Sequence, residues 1–207
     1  MKKIILFSAM ALISFSTMAQ KKGGSMKGGG MSDMTYGVKA GVTFPTVNIS
    51  PSLPAGRSES SITLFYVGGI VDVPLFSILS IQPGLFYVGK GYKTTNTLVT
   101  PNVIGNTNIW YLEIPVNLVA KKELGPGKIF VGAGPYVGYA VATNGLKIGT
   151  DIHEIDFGLD FMLGYQLDKG LGINVAYDLG LLNINKTAGS PYTLKNSVFS
   201  VGLAYSF

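Results

Sequence analysis

The feature that most constrains this chain is the strict alternation from Asn196 to Phe207, where large apolar side chains take every second position. Phe199, Val201, Leu203, Tyr205 and Phe207 share one face, while Ser200, Gly202, Ala204 and Ser206 share the other. Side chains alternate faces along a strand, so the pattern predicts a β-strand with one greasy surface and one narrow, weakly polar one. An aromatic residue closing such a strand suits the last stave of a transmembrane β-barrel.

From Thr35 onward the same period of two recurs in eight segments, roughly 35–46, 62–73, 78–92, 108–120, 128–141, 154–167, 171–183 and 196–207. Each is long enough to cross an outer membrane. In the sixth, Ile155, Phe157, Leu159, Phe161 and Leu163 oppose Asp156, Gly158, Asp160, Met162 and Gly164; in the seventh, Ile173, Val175, Tyr177 and Leu179 oppose Gly172, Asn174, Ala176 and Asp178. The connections alternate in length. Short links at Pro74–Ser77, Lys121–Gly127 and Asp168–Gly170 separate longer ones at Val47–Ser61, Lys93–Thr107, Ala142–His153 and Ile184–Lys195. This predicts an all-β, eight-stranded antiparallel up-and-down transmembrane barrel, with short periplasmic turns and long external loops.

Which way the greasy face points is a question of volume and composition. Charged residues are 13% of the chain, about half the usual share, and glycine, at 28 of 207, is about twice its average frequency. A soluble periplasmic barrel of lipocalin type, the alternative, would have to pack roughly forty large apolar side chains into an eight-stranded interior. The apolar set is therefore expected to meet outer-membrane lipid through Phe157, Leu159, Phe161, Val175, Leu179, Phe199, Val201, Leu203, Tyr205 and Phe207. Trp110 and Tyr139 at outer strand ends, with Tyr36, Tyr165, Tyr205 and Phe207 at inner ones, read as two interfacial aromatic girdles. Pro83, Pro115 and Pro135 lie inside strands and cannot donate to a ladder, so they predict bulges or local gaps.

Residues 1–19 read as a secretory signal: Lys2 and Lys3, an apolar run from Ile4 to Phe15, and the small-residue site Thr17-Met18-Ala19, with cleavage expected after Ala19. Residues 20–34 are rich in Gly and Lys and read as a flexible tether ahead of the barrel over 35–207. No later apolar run reaches the length of a membrane helix, so any bilayer crossing uses strands. The chain has no cysteine, which excludes disulfides and Cys-ligated metal, and its lysines are not clustered with aromatics in a nucleic-acid footprint.

Three stretches, Tyr36-Gly37-Val38-Lys39-Ala40-Gly41, Tyr111-Leu112-Glu113-Ile114-Pro115-Val116 and Val201-Gly202-Leu203-Ala204-Tyr205-Ser206-Phe207, resemble the PorT-like outer-membrane β-barrel family over residues 35–207. That resemblance implies an eight-stranded barrel in a Gram-negative outer membrane. It also implies, as in some members, an accessory place in a protein secretion system.

On the inward set the charges are Lys39, Lys90 and Lys128 against Asp72, Glu113, Asp156, Asp160 and Asp178. In a barrel without an aqueous channel they must pair with one another or with Gln82, Asn117, Gln166 and Asn174, which predicts a polar plug. At mid-height the acids Glu113, Asp160 and Asp178 outnumber the base Lys39, which leaves a narrow proton- or ion-conducting barrel as an alternative function. His153, flanked by Asp151 and Glu154, is the one candidate for rim catalysis, and a single histidine without a paired nucleophile is a weak one. Gly132-Ala133-Gly134 lacks the helix and lysine of a phosphate loop. The expectation is a non-enzymatic barrel with no cofactor. Its expected partners are lipid, the barrel-assembly machinery through the Phe207 strand, and secretion-system or surface proteins.

Overall fold

The computed structural model describes residues 34–97 and 103–207. The leader expected over 1–19, and the tether over 20–34 apart from Met34, lie outside the described residues. The strands are β1 (Thr35–Ser50), β2 (Arg57–Ser60), β3 (Leu64–Pro74), β4 (Leu79–Asn96), β5 (Val103–Glu123), β6 (Gly127–Thr143), β7 (Ile155–Leu167), β8 (Leu171–Gly180) and β9 (Thr193–Ser206). Leaving β2 aside, each strand pairs antiparallel with the next along the chain, and β9 returns to pair with β1 from Gly37↔Ser206 to Ser50↔Thr193. Eight strands therefore close on themselves, which removes the unpaired edges that an open sheet would expose.

The ninth strand is a departure from the eight expected. β2 lies inside the connection Val47–Ser61 and adds to β4 at Lys93–Asn96, beyond the point where β3 stops pairing. The connection Lys93–Thr107, expected as a loop, instead continues the β4–β5 ladder from Tyr92↔Thr107 to Asn96↔Val103. Its β-branched content (Thr94, Thr95, Val103, Ile104, Thr107) favours strand, but both faces there meet water and the apolar alternation that marks the wall is lost. Together β2, β4 and β5 make a three-stranded flap standing on one end of the ring, with Thr94 Oγ1 donating to the Glu59 carboxylate at 2.9 and 3.0 Å.

Pro83, Pro115 and Pro135 each interrupt one ladder without shifting its register, whereas Pro45 sits in an unbroken β1–β9 ladder. β3–β4 pairing passes from Ile70↔Gly84 to Val73↔Ile81, skipping Pro83; β4–β5 passes from Pro83↔Val116 to Phe86↔Glu113, skipping Pro115; β5–β6 passes from Pro115↔Tyr136 to Leu118↔Ala133, skipping Pro135. These are gaps and not bulges: a missing N–H breaks hydrogen bonds locally but adds no residue. The register shift in the β5–β6 ladder falls at Trp110/Tyr111.

The two faces of the wall differ sharply. Phe157, Phe161, Val175, Phe199, Val201, Leu203, Tyr205 and Phe207 are exposed on the outside, with Leu159 and Leu179 half-buried on the same face. Asp156, Asp160 and Asn174 are buried inside, which reverses the facing of a lipocalin-type barrel. Trp110 stacks flat on Tyr87 at 5.0 Å and packs against Phe65 at 4.8 Å near one end of the wall, while Tyr205 and Phe207 meet edge-on at 5.2 Å at the other. The Phe207 amide donates to Tyr36 O at 2.8 Å, which ties the chain's last residue to the start of β1.

The interior is bulkier than small and polar. Tyr66, Phe86, Tyr111, Phe130 and Tyr136 all turn inward and are buried. Glycines on the same or nearby strands make room for them: a Cβ at Gly202 would strike the Tyr66 hydroxyl, one at Gly68 or Gly84 the Phe86 ring, and one at Gly158 the Tyr136 ring. The glycine-rich face is thus the bed on which the aromatic rings lie.

Candidate functional site

The lumen is filled in three tiers. Nearest the end where β1 starts, Lys39 Nζ donates to Gln82 Oε1 at 2.8 Å, Gln82 Nε2 donates to Asp72 Oδ2 at 2.8 Å, and Lys121 pairs with the same Asp72 carboxylate. At mid-height Asn117 Nδ2 donates to Asp160 Oδ2 at 2.5 Å and Asn174 Nδ2 to the Tyr66 hydroxyl at 3.2 Å. Asp160 sits directly across the β7–β8 ladder from Asp178. A cavity of about 60 Å³ lies among these groups, room for a few water molecules and no more.

The third tier centres on Lys90, whose side chain is fully buried. Its ammonium lies 2.5 Å from Glu113, 3.2 Å from Asp156 and 3.7 Å from Asp178, and 4.0 Å from the centre of the Tyr136 ring. Asp156 Oδ2 also accepts from the Tyr136 hydroxyl at 3.1 Å and from Asn196 Nδ2 at 2.9 Å. Four strands and the start of β9 therefore converge on one cation. Opposite charges at these separations, with additional hydrogen bonds on the shared carboxylate, are what a buried ionic cluster needs to offset its desolvation.

Above Lys90 the lumen is closed by an apolar cap. Ile109, Tyr111 and Ala140 of the wall pack against Ile152 and Ile184 from the two long connections that follow β6 and β8, with Leu146, Ile148 and Leu194 around them. The two connections are joined by their backbones: His153 N donates to Ile184 O at 2.8 Å and Lys186 N to Asp151 O at 2.9 Å.

Of the residues expected in the polar lumen, Lys39, Glu113, Asp156, Asp160 and Asp178 all face inward, but not as one network. Lys39 belongs to the tier with Asp72, whereas Glu113, Asp156 and Asp178 gather on Lys90. Lys90 is the cation that Glu113, Asp156 and Asp178 share, because strand tilt and stagger carry it to them, while Asp160 acts electrostatically on Lys39. Lys128 stands at the mouth, 3.6 Å from Glu123. Tyr111, Tyr136, Asn196, Lys121 and the cap isoleucines were missed. The inward parity of the tyrosines and of Asn196 was the available signal, as were Ile148, Ile152 and Ile184 in loops otherwise polar. His153 is exposed, and its neighbour Asp151 is engaged in accepting the Lys147 amide at 2.8 Å.

A closed antiparallel ring with an apolar outer wall and a filled, charged interior has the build of a membrane β-barrel. The chain belongs to the outer membrane protein beta-barrel domain family, whose model matches residues 18–186. No curated protein matches it by sequence. Among solved structures it is similar to the outer membrane protein OprG from Pseudomonas aeruginosa (11% identity, 84% of this chain and 95% of that one, TM-score 0.49). It is similar also to Neisserial surface protein A (12%, 83% and 97%, 0.48) and to Ail, the attachment invasion locus protein of Yersinia pestis (10%, 84% and 98%, 0.43).

Proposed function

We propose that this protein is a plugged, non-enzymatic outer-membrane barrel that works through its surfaces and passes no solute. The observation that carries this reading is the stack inside the ring: an apolar cap on a fully buried Lys90 cluster on a nearly filled mid-section. A conducting path would need water or mobile ions at Lys90, and three carboxylates and two aromatic rings already occupy that space. The ten outward residues from Phe157 to Phe207 would then meet lipid. The flap and the cap would face the exterior and the short turns the periplasm, with export directed by residues 1–19 and cleavage after Ala19. The narrower PorT-like resemblance supports an accessory place in a secretion assembly, and assembly into the membrane would use the strand that ends at Phe207.

Planar-bilayer recording of the purified protein tests the plug, and no steady conductance is expected. Conductance that falls on Asp160→Asn or Glu113→Gln would replace this reading with that of a narrow proton- or ion-conducting barrel. Affinity capture from outer membranes, with wild type and with Arg57–Ser60 replaced by a Gly/Ser linker, then separates the surfaces: partners lost with the replacement bind the flap, and partners retained bind the wall.

A further inference from the structure

At the end of the ring opposite the cap, where β1 begins and β9 ends, a cavity of about 410 Å³ opens into the lumen. Its charged lining is Lys39, Lys121, Lys128 and Lys169 against Asp72 and Asp168. Asp72 is engaged by Lys121 and by the Gln82 amide, so of the two acid side chains in the lining Asp168 is the one left to face the four lysines.

Lys39, on the inner side of this cavity, is the unusual group. It is 7% exposed and makes no ion pair among the described residues; its hydrogen-bond partners are the neutral Gln82 Oε1 at 2.8 Å and the Met162 sulfur at 3.6 Å. An ammonium carries three donors, and here two go to neutral acceptors while Asp160 and Asp72 act on the charge only from beyond ion-pair distance, which leaves a donor for an anion that reaches it. Ile70 and Phe130 supply apolar wall beside it. The volume falls within the range of small-molecule sites, and the lining is richer in polar groups than is usual for them, as suits a charged ligand.

We propose that this vestibule binds a small organic anion, its carboxylate seated on Lys39 with Lys128 and Lys169 at the mouth, and its apolar body against Phe130 and Ile70. The chain's own preceding segment is a poor occupant, since residues 20–34 bring Lys21, Lys22 and Lys27 against the single acid Asp33. The site does not depend on what the flap or cap does; only its opening toward the periplasm rests on the orientation proposed above.

Titration calorimetry of the full-length protein in lipid nanodiscs tests this, with phenylacetate as the probe, phenylacetamide as its neutral counterpart and inorganic phosphate as a bare anion. Saturable binding of phenylacetate is expected, with none of the amide and weaker binding of phosphate. Lys39→Met should abolish it, and the exposed-end pair Lys128→Gln with Lys169→Gln should weaken it about fivefold or more. Should Lys39→Met fail to fold, the double variant decides. The proposal is overturned if phenylacetate does not bind, if the amide binds as well, if phosphate binds as tightly, or if the double variant keeps the wild-type affinity.

Discussion

At the scale of single residues, Lys90 is the position whose loss the barrel should tolerate least. Lys90→Met keeps the length of the side chain and removes the charge, which leaves Glu113, Asp156 and Asp178 facing one another without a cation. Breaking a buried ion pair by deleting one partner costs about 3–5 kcal/mol, and a lower urea midpoint for the barrel in vesicles is the expected readout. Asp178→Asn should cost much less, because Asp178 makes the longest of the three contacts at 3.7 Å and its neutralisation relieves repulsion with Asp160 across the ladder. A loss on Asp178→Asn as large as that on Lys90→Met would show that the cluster is not organised around the lysine. Gly202→Ala tests the packing of the same interior: the added methyl meets the Tyr66 hydroxyl and the Ala40 carbonyl, and overpacking of this kind costs about 1–3 kcal/mol.

At the scale of elements, the flap and the cap respond to different variables. Partial burial pushes the Glu59 carboxyl above its ordinary value, opposed by the hydrogen bond from Thr94. A carboxyl raised in the paired state favours that state while protonated, so β2–β4 pairing is supported at low pH and weakens as pH rises through the raised value. A carbon-13 titration of Glu59 with a midpoint above that of a free carboxyl, and a flap that loses its pH dependence in Glu59→Gln, are the expected results. In the cap, Ile184→Ala opens a cavity beside Ile109 and Ile152, and the His153 and Lys186 amides should exchange faster with solvent while those of the wall do not change. How much of this could be read in advance depended on what each element packs against. The wall was legible because every second residue of β7 and β9 meets a different solvent, and that difference writes a period of two. The β4–β5 extension was not, because water lies on both its faces. The cap was not, because Ile152 and Ile184 find Ile109 only after ring closure brings together connections more than forty residues from it. Tyr136 and Asn196 reach Asp156 through strand register, Tyr136 diagonally across the β6–β7 ladder and Asn196 from β9, and local sequence does not encode that register.

At the scale of the molecule, the outer wall poses the largest energetic question. Val67, Ile114, Leu163, Ile173 and Leu203 are each about half exposed, and similar side chains surround the ring. In water this surface would be far larger than the apolar patches that soluble monomers carry, and it would drive aggregation. In hydrocarbon the same side chains cost nothing, and the cost moves to any charge placed among them. The two solvents therefore predict opposite responses to one substitution. Val175→Arg, halfway along β8 on the outer face, should destabilise the barrel in lipid vesicles by about 2–4 kcal/mol, because its guanidinium would lie near the bilayer midplane. Ile104→Arg is an equally apolar-to-charged change on an exposed site of the flap, and it should stay within about 0.5 kcal/mol because water surrounds it in both states. Urea unfolding of the two variants in the same vesicles makes the comparison. A wall that accepted arginine at Val175 as readily as the flap does at Ile104 would not be a wall against lipid.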